Sequence, residues 1–309
     1  MLHSTRTAAQ KRQDLRALLT PGATQPFPGA FTPLSAQLIQ EKGFPGIYVS
    51  GAVIANERGL PDIGLTTLAE VAERGGEIAR VTDLPCLIDA DTGFGEPMNV
   101  ARTVQVLEDA GLAGCHIEDQ VNPKRCGHLD GKQLVDEDTA VRRIRAAVDA
   151  RRDPDFLVMA RTDLRAAEGL DAAIDRMRAL VDAGADAVFP EAMQDLGEFE
   201  RVCSALEVPV LANMTEFGKS ALFTREHLAQ AGIAMVIYPV TLLRAAMGAA
   251  ERVLDAILTT GSQASQVDQM LTRSRLYELV DYAGYDRFDS GIFDFEVPTA
   301  DITRNQHGH

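Results

Sequence analysis

The sequence predicts a (β/α)8 barrel of the TIM type, with one helix before the barrel and more helices after it. Short apolar segments alternate with longer helical patterns along most of the chain, as in repeated β-α units around a parallel sheet. We count eight such units, the number in a closed barrel. An open doubly wound sheet is the main rival. A sheet of that kind that binds a dinucleotide carries a glycine-rich turn after its first strand, and neither GxGxxG nor GxxxxGK[ST] occurs here.

Seven strands are predicted from short apolar runs. They are Gly46–Ser50, Pro85–Asp89, Gly114–Glu118, Phe156–Arg161, Ala187–Pro190, Val208–Asn213 and Ala234–Tyr238. An eighth, weaker strand is predicted around residues 23–31, where Pro26 and Pro28 are tolerable in an irregular first strand. The intervening segments have a helical period and capping residues at several boundaries. They include Thr66–Val81, Met98–Ala110, Asp136–Ala150, Gly169–Ala183 and Leu196–Leu206.

The N-terminal segment, residues 3–20, is rich in arginine and faintly resembles a mitochondrial presequence. Asp14 and a continuous helical pattern favour an ordinary leading helix instead.

After the last strand we predict a helix over residues 240–258, a break at Gly261–Ser265 and a helix over Gln266–Tyr282. Residues 284–309 show no strong period and are expected to form a flexible or partner-bound tail. We therefore predict one domain over residues 1–309, with residues 259–309 as its C-terminal extension.

Composition excludes several classes of protein. Of 309 residues, 46% are hydrophobic and 24% charged, as in globular proteins. Acidic residues outnumber basic ones 45 to 30, and the net charge of -15 disfavours nucleic acid as a partner. No apolar stretch approaches the roughly 20 residues that cross a bilayer. The four cysteines form no CxxC pair and no disulfide framework, which favours a reducing cytoplasm.

Polar residues end every confident strand except the last. Catalytic residues of such barrels lie at these strand ends, because the loops there converge on one mouth. Caps and loops are polar anyway, so the series carries more weight than any one position. The residues are Ser50, Asp89, Asp91, Glu118, Asp119, Arg161, Glu191, Asn213 and Thr215.

The acidic residues of this series indicate a divalent cation. Asp89, Asp91, Glu118 and Asp119 would repel one another at one mouth unless something cationic lay between them. Oxygen ligands without a zinc-type cluster of His and Cys favour Mg²⁺ or Mn²⁺. Asp-x-Asp pairs also occur as caps and surface turns, so the spacing alone is only moderately specific.

The loop Lys124–His128 holds a cysteine among titratable neighbours. Lys124, Arg125 and His128 would lower the pKa of the Cys126 thiol, and Gly127 lets the backbone bend. We interpret Cys126 as a proton donor or thiolate. The other three cysteines lie in apolar contexts typical of small core residues.

Two arginines, Arg161 and Arg244, are either structural ion-pair partners or ligands for substrate carboxylates. Together with a metal they would suit a polycarboxylate. His116 is equally consistent with a core histidine, and Tyr48 and Phe189 with core or pocket wall. All five lysines fall in predicted helices or loops, which disfavours a Schiff-base aldolase.

Eight motifs strongly resemble the methylisocitrate lyase family of the isocitrate lyase and phosphoenolpyruvate mutase superfamily. The resemblance covers residues from about 15 to 282, and the KRCGH loop is specific to the lyase branch. The motifs are Tyr48–Gly51, Gly59–Asp62, Asp89–Gly95, His116–Gln120, Lys124–His128, Ala160–Asp163, Phe189–Ala192 and Asn213–Gly218.

The resemblance implies a barrel whose last helix is swapped between subunits of a homotetramer. It also implies Mg²⁺-dependent cleavage of 2-methylisocitrate to pyruvate and succinate in propionate breakdown. Asp89 and Asp91 would hold the metal, with Asp62 and Glu118 acting mostly through bound water. Cys126 would protonate the succinate carbanion, supported by Lys124, Arg125 and His128. The implied substrate contacts are Ser50, Gly51, Ala52, Arg125, Gly127, Arg161, Phe189, Glu191, Asn213, Thr215 and Arg244.

Several alternatives stay open at this point. Tyr48 and Glu118 are both candidates to take the substrate's hydroxyl proton. The chain has Gly51-Ala52-Val53-Ile54 where many relatives have a run of glycines, which narrows that pocket. Isocitrate lyases carry Trp where this chain has Phe189. One methyl group in a pocket changes the binding free energy by only about 1–3 kcal/mol, so isocitrate stays a candidate substrate. Alternative activities are isocitrate or 2,3-dimethylmalate cleavage, then oxaloacetate decarboxylation or phosphonate chemistry, and last a catalytically silent barrel.

Overall fold

Eight parallel strands form a ring in the computed structural model, which describes residues 4–20, 23–125, 127, 131–218 and 220–294. Predicted and observed strands coincide to within a few residues, and β4 and β6 match at both ends. The strands are β1 Gln25–Pro28, β2 Ile47–Val49, β3 Cys86–Asp89, β4 Gly114–Glu118, β5 Leu157–Thr162, β6 Ala187–Pro190, β7 Leu211–Asn213 and β8 Met235–Tyr238.

Closure of the ring follows from the strand pairing. Strands β2 to β6 pair in sequence order, and β8 lies between β7 and β1. Two isolated parallel bridges, Gly29 with Tyr48 and Val188 with Val210, join these two groups at both seams. The strand order is therefore that of a closed (β/α)8 barrel, and the predicted fold class is confirmed.

Helices surround the strands, and several of them begin at a side-chain cap. At the start of α4, for example, Thr67 accepts from the amide of Glu70, whose carboxylate accepts from the amide of Thr67. The helices are α1 Ala8–Leu18, α2 Pro33–Glu41, α3 Gly51–Glu57, α4 Leu68–Arg80, α5 Pro97–Asp109, α6 Glu137–Ala150, α7 Arg165–Glu168, α8 Leu170–Asp182, α9 Leu196–Ala205, α10 Arg225–Gln230 and α11 Thr241–Thr260. Among the described residues, no helix is long and apolar enough to cross a membrane.

The leading helix α1 packs on the N-terminal side of the barrel, as expected for an ordinary helix. Leu15 is fully buried in the cluster that fills the barrel interior. The ammonium of Lys11 donates to the carbonyls of Ala79 and Thr82, at 2.7 and 2.5 Å. These carbonyls precede β3, so α1 is bound to the barrel by hydrogen bonds as well as by apolar packing.

The C-terminal prediction is partly wrong. A single helix over Gln266–Tyr282 is not formed, because a 3-10 helix, Ala264–Gln269, ends before α12, Arg273–Leu279, begins. Thr272 caps α12 by accepting from the amide of Arg275, and this cap starts a new helix.

The tail expected from residue 284 is also helical as far as Phe293, in α13, Tyr282–Phe293. Asp281 begins α13 with a left-handed backbone and a side chain that accepts from Gly284. Chain contacts divide the molecule into two units, residues 3–269 and, among the described residues, 270–294. The rest of the predicted tail, residues 295–309, lies outside the described residues.

Candidate active site

A small cavity of about 50 Å³ lies at the C-terminal ends of the strands. Most residues that the sequence predicts as catalytic or substrate-binding line it, which confirms that the strand ends converge. The lining residues are Tyr48, Ser50, Ala52, Asp62, Asp89, Lys124, Gly127, Arg161, Phe189, Glu191, Asn213, Thr215, Ile237, Pro239 and Val240.

Two buried carboxylates, Asp89 and Asp91, face one point beside Gly51. Asp89 ends β3 and accepts from the amides of Asp91 and Gly51, at 2.9 and 3.3 Å. Asp91 has a left-handed φ of 47°, a conformation that Asp tolerates better than most residues. A Cβ atom on Gly51 would lie 3.0 Å from Asp89 Oδ2 and 3.2 Å from Asp91 Oδ1. The absence of a side chain at Gly51 therefore leaves space that both carboxylates border.

Lys124 lies against these carboxylates. Its buried ammonium is 2.8 Å from Asp91 Oδ1 and also contacts Asp62. Burial acts to lower the pKa of Lys124, but the surrounding carboxylates, Asp91 first among them, hold it well above its usual value. Burial raises the pKa of Asp91 to about 6, with Lys124 opposing the shift. Burial also acts to raise the pKa of Asp89, but His116, Lys124 and Arg161 hold it at about 2.

Arg161 is the second buried cation and connects three carboxylates. Its Nε atom lies 3.0 Å from Asp163 Oδ2 and 3.2 Å from Glu118 Oε2, and its Nη2 atom lies 3.2 Å from Glu191 Oε2. The guanidinium also lies 5.0 Å from the centre of the Phe189 ring. Arg161 and Lys124 thus supply much of the positive charge that the crowded acidic residues were predicted to need.

The donor set fits a divalent ion held by few protein ligands. In the described part of the chain, no three His, Cys, Asp or Glu side chains converge on one ion position. Glu118 Oε1 is buried and accepts no hydrogen bond within this part of the chain, whereas Asp91 Oδ1 and Glu118 Oε2 face the cations of Lys124 and Arg161. Mg²⁺ commonly binds through one or two carboxylates and completes its octahedron with water and substrate oxygens. Asp89 and Asp91 meet that requirement, while Glu118 has one oxygen, Oε1, available for bound water.

Tyr48 and His116 form a buried pair beneath the carboxylates. Tyr48 Oη lies 2.7 Å from His116 Nε2, and the rings are stacked with centroids 5.8 Å apart. Burial lowers the pKa of His116 to about 4, although Asp89 opposes the shift, so the imidazole is neutral at pH 7. Burial raises the pKa of Tyr48 well above its usual value. His116 is therefore a neighbour of the site rather than an unrelated core residue.

Other predicted residues stand beside the cavity or outside the described residues. Arg244 does not line it, and instead donates to Thr215 Oγ1 at 3.2 Å and to the carbonyl of Glu216 at 2.8 Å. Arg125 is exposed and does not line it either. Gly51, Asp91 and Glu118 lie next to its lining. Cys126 and His128, to which the sequence assigns the acid and its support, lie outside the described residues.

Sequence reasoning missed an apolar wall and two buried supporting residues. Ile237, Pro239 and Val240, at the end of β8, line the cavity, and this strand end lacked the polar signal used elsewhere. Asp163 accepts from both Arg161 and Lys132 and has a fully buried side chain. Asp163 stands two residues after the predicted Arg161, and this closeness in the sequence could have indicated a role in the site. Nothing in the sequence indicated Lys132.

Comparisons with known proteins are consistent with this geometry. The family model described as phosphoenolpyruvate phosphomutase matches residues 15–258. A probable 2-methylisocitrate lyase of Corynebacterium glutamicum is 58% identical over 93% of this chain and 94% of that protein. The 2-methylisocitrate lyase of Escherichia coli is 47% identical over 90% of this chain and 95% of that protein.

Solved structures with the same architecture include enzymes of several activities. Oxaloacetate acetylhydrolase bound to 3,3-difluorooxalacetate has a TM-score of 0.86 at 34% identity, covering 93% of this chain and 97% of that one. A 2,3-dimethylmalate lyase has a TM-score of 0.85 at 35% identity, covering 95% and 99%. Phosphonopyruvate hydrolase in complex with oxalate and Mg²⁺ has a TM-score of 0.80 at 28% identity, covering 94% and 99%.

Proposed function

The chain belongs to the phosphoenolpyruvate phosphomutase family, and from this we propose that it is a carbon-carbon lyase that cleaves 2-methylisocitrate to pyruvate and succinate. The observation that carries the proposal is the identity of 45–58% to proteins named 2-methylisocitrate lyase over most of the chain. The described cavity supports it, since its carboxylates, arginine and amide suit a polycarboxylate substrate.

The chemistry begins at the carboxylates of Asp89 and Asp91, which we propose hold Mg²⁺ or Mn²⁺, with Asp62 and Glu118 contributing through water. When bound, such an ion lowers the pKa of a coordinated hydroxyl and stabilises the keto acid that forms. The phosphonopyruvate hydrolase structure with Mg²⁺ and oxalate supports a divalent ion in this family.

Substrate carboxylates are oriented by side chains around the cavity. Arg161 can donate to a substrate carboxylate through Nη1 while Asp163, Glu118 and Glu191 hold its guanidinium in place. Asn213 and Thr215 line the same cavity, and Arg244, which does not line it, donates to Thr215 Oγ1. The apolar residues at the end of β8 exclude water from that side, which strengthens the charge interactions.

Bond cleavage moves two protons. The hydroxyl proton leaves as the C–O bond becomes a carbonyl, and it is accepted either by the carboxylate of Glu118 or by Tyr48, which lines the cavity and must first give up its own phenol proton. The electron pair of the broken C–C bond stays on the succinate fragment, next to a carboxylate that Arg161 can stabilise. We propose that Cys126 donates a proton to this carbanion, which completes succinate.

The first experiment measures pyruvate and glyoxylate release from 2-methylisocitrate, isocitrate and 2,3-dimethylmalate, each with Mg²⁺ and with EDTA. We expect metal-dependent pyruvate from 2-methylisocitrate at the highest kcat/KM. Preferential cleavage of 2,3-dimethylmalate would move the assignment to that lyase. Oxaloacetate turnover with no cleavage of the three would remove the lyase assignment and leave the barrel.

An exchange of α11 between subunits is the second part of the proposal. No residue of α11 is buried, and it exposes the apolar side chains of Met247, Leu254 and Leu258. An apolar cavity of about 610 Å³ lies between α2 and the strands β1 and β8, lined in part by Leu38 and Phe44. We propose that α11 of a second copy of this chain covers such apolar surface, and that two exchanged dimers form a tetramer. We propose the cytoplasm as its location.

A further inference from the structure

The Gln120 side chain binds the backbone near the start of the loop Lys124–His128, which contains Cys126. Its Oε1 accepts from the amide of Arg125 at 2.9 Å, and its Nε2 donates to the carbonyl of the same residue at 2.8 Å. Gln120 is 1% exposed, while Arg125 is exposed. The buried side-chain amide of Gln120 therefore binds both the backbone N–H and the backbone carbonyl of Arg125, the residue that directly precedes Cys126.

The Lys132 side chain holds the residue that follows Cys126. Its Nζ donates to the carbonyl of Gly127 at 2.5 Å and to Asp163 Oδ1 at 2.6 Å. The side chain of Lys132 is 6% exposed and that of Asp163 is fully buried. Because Asp163 follows β5 and also binds Arg161, Lys132 connects the loop backbone to the charged side chains of the cavity.

The backbone of Gly127 packs closely against the side chains of the cavity. A Cβ atom on Gly127 would lie 2.5 Å from Arg161 Nη2 and 2.6 Å from Glu191 Cδ. Gly127 is therefore in direct contact with two proposed substrate-binding side chains, and a small movement of its peptide would change that contact. Charge compensation of Asp163 alone does not explain Lys132. If Lys132 were absent, Asp163 would still have Arg161 as a cationic partner.

We propose that Gln120 and Lys132 are positioning residues. They hold the backbone of Arg125 and of Gly127, the residues before and after Cys126 in the sequence, and so keep Gly127 against Arg161 and Glu191. The inference rests on the proposed lyase function and on the acid role of Cys126. Both residues act through the loop backbone and contact no reacting atom.

The test compares Lys132→Met and Gln120→Met with Gln133→Met, a control whose side chain is exposed in the same segment. We expect kcat for 2-methylisocitrate to fall roughly 30- to 100-fold for Lys132→Met and about 10-fold for Gln120→Met, since a misplacement of about 1 Å can cost 10²-fold. KM should change less than about 3-fold and the melting temperature only slightly. Lys132→Arg should recover part of the lost kcat.

A double-variant cycle identifies the route of the effect. In a Cys126→Ser background, Lys132→Met should lower kcat by less than about 2-fold, because residues that act as a unit are not additive. Equal losses in both backgrounds would overturn the proposal, as would a wild-type kcat in Lys132→Met. A lower melting temperature with unchanged kcat per folded molecule would assign Lys132 a structural role only. Failure of the wild-type chain to cleave 2-methylisocitrate would instead refute the proposed function.

Discussion

Tyr48 Oη lies 2.7 Å from His116 Nε2, and both side chains are almost completely buried. His116 Nδ1 has no hydrogen-bond partner among the described residues. A buried N–H without an acceptor is costly, which favours the tautomer with the proton on Nε2. In that tautomer His116 donates to Tyr48, and the phenol proton is free to point into the cavity.

Tyr48→Phe tests whether this phenol handles the substrate's hydroxyl proton. We expect kcat to fall roughly 10²- to 10⁴-fold, the usual contribution of a general acid or base, with little change in KM. Glu118→Gln is the matched test of the other candidate. A wild-type kcat in Tyr48→Phe combined with a large loss in Glu118→Gln would assign the role to Glu118.

Arg161→Met should destabilise the protein as well as inactivate it. The variant leaves Asp163, Glu118 and Glu191 without their shared buried cation, and breaking a buried ion pair costs about 3–5 kcal/mol. Urea unfolding at pH 7 measures this loss. Arg178→Met removes an exposed ion pair with Asp175 and should leave the midpoint unchanged. Equal midpoints for Arg161→Met and wild type would contradict the ion-pair network.

Cys126→Ser should reduce kcat by roughly 10²- to 10⁴-fold if the thiol protonates the carbanion. Cys203→Ser is the control, because burial raises the pKa of Cys203 to about 11 and the residue is not among those that line the cavity. Pyruvate release under saturating substrate measures both. Unchanged turnover in Cys126→Ser would remove the acid role.

Asp83 makes stability depend on pH. Its burial opposes ionisation, but hydrogen bonds from Ser4, Thr5 and Arg6 hold its pKa at about 2, below the unfolded value of about 3.9. The stabilisation is therefore complete above about pH 5 and is lost as the pH falls through about 2. Asp83→Asn should lower stability by about 1–2 kcal/mol at pH 7, after allowance for solvent screening.

Urea unfolding of wild type and Asp83→Asn from pH 7 down to pH 3 checks the sign. The difference between the two should shrink as the pH falls. A difference that stays constant or grows toward pH 3 would contradict the depressed pKa.

Leu258→Glu should prevent subunit assembly through α11. The side chain is 87% exposed within the chain, and a charge there would be buried in the proposed exchange. Light scattering after gel filtration should give a smaller mass for Leu258→Glu than for wild type. Leu222→Glu changes an exposed leucine outside α11 and should assemble normally. Identical masses for wild type and Leu258→Glu would exclude this surface from the interface.

The barrel was predictable because its signals are local. Apolar runs, capping residues and the count of β-α units depend only on neighbours along the chain, and they place β4 and β6 correctly at both ends. The C-terminal helix α13 was missed because Gly284, Gly291 and several aspartates interrupt its helical pattern. Its cap at Asp281 depends on a left-handed backbone that composition does not reveal.

The sequence by itself determined which residue types stand at the strand ends. The barrel topology, which the sequence also predicts, then implies that these ends meet at one mouth. Only the tertiary structure decided how their charges are shared, because those contacts join residues far apart in the chain. It placed Lys124 against Asp91 and Arg161 among three carboxylates, and it brought Lys132 to Gly127 and Asp163. Distances and burial set these interactions, and neither is written in the order of the residues.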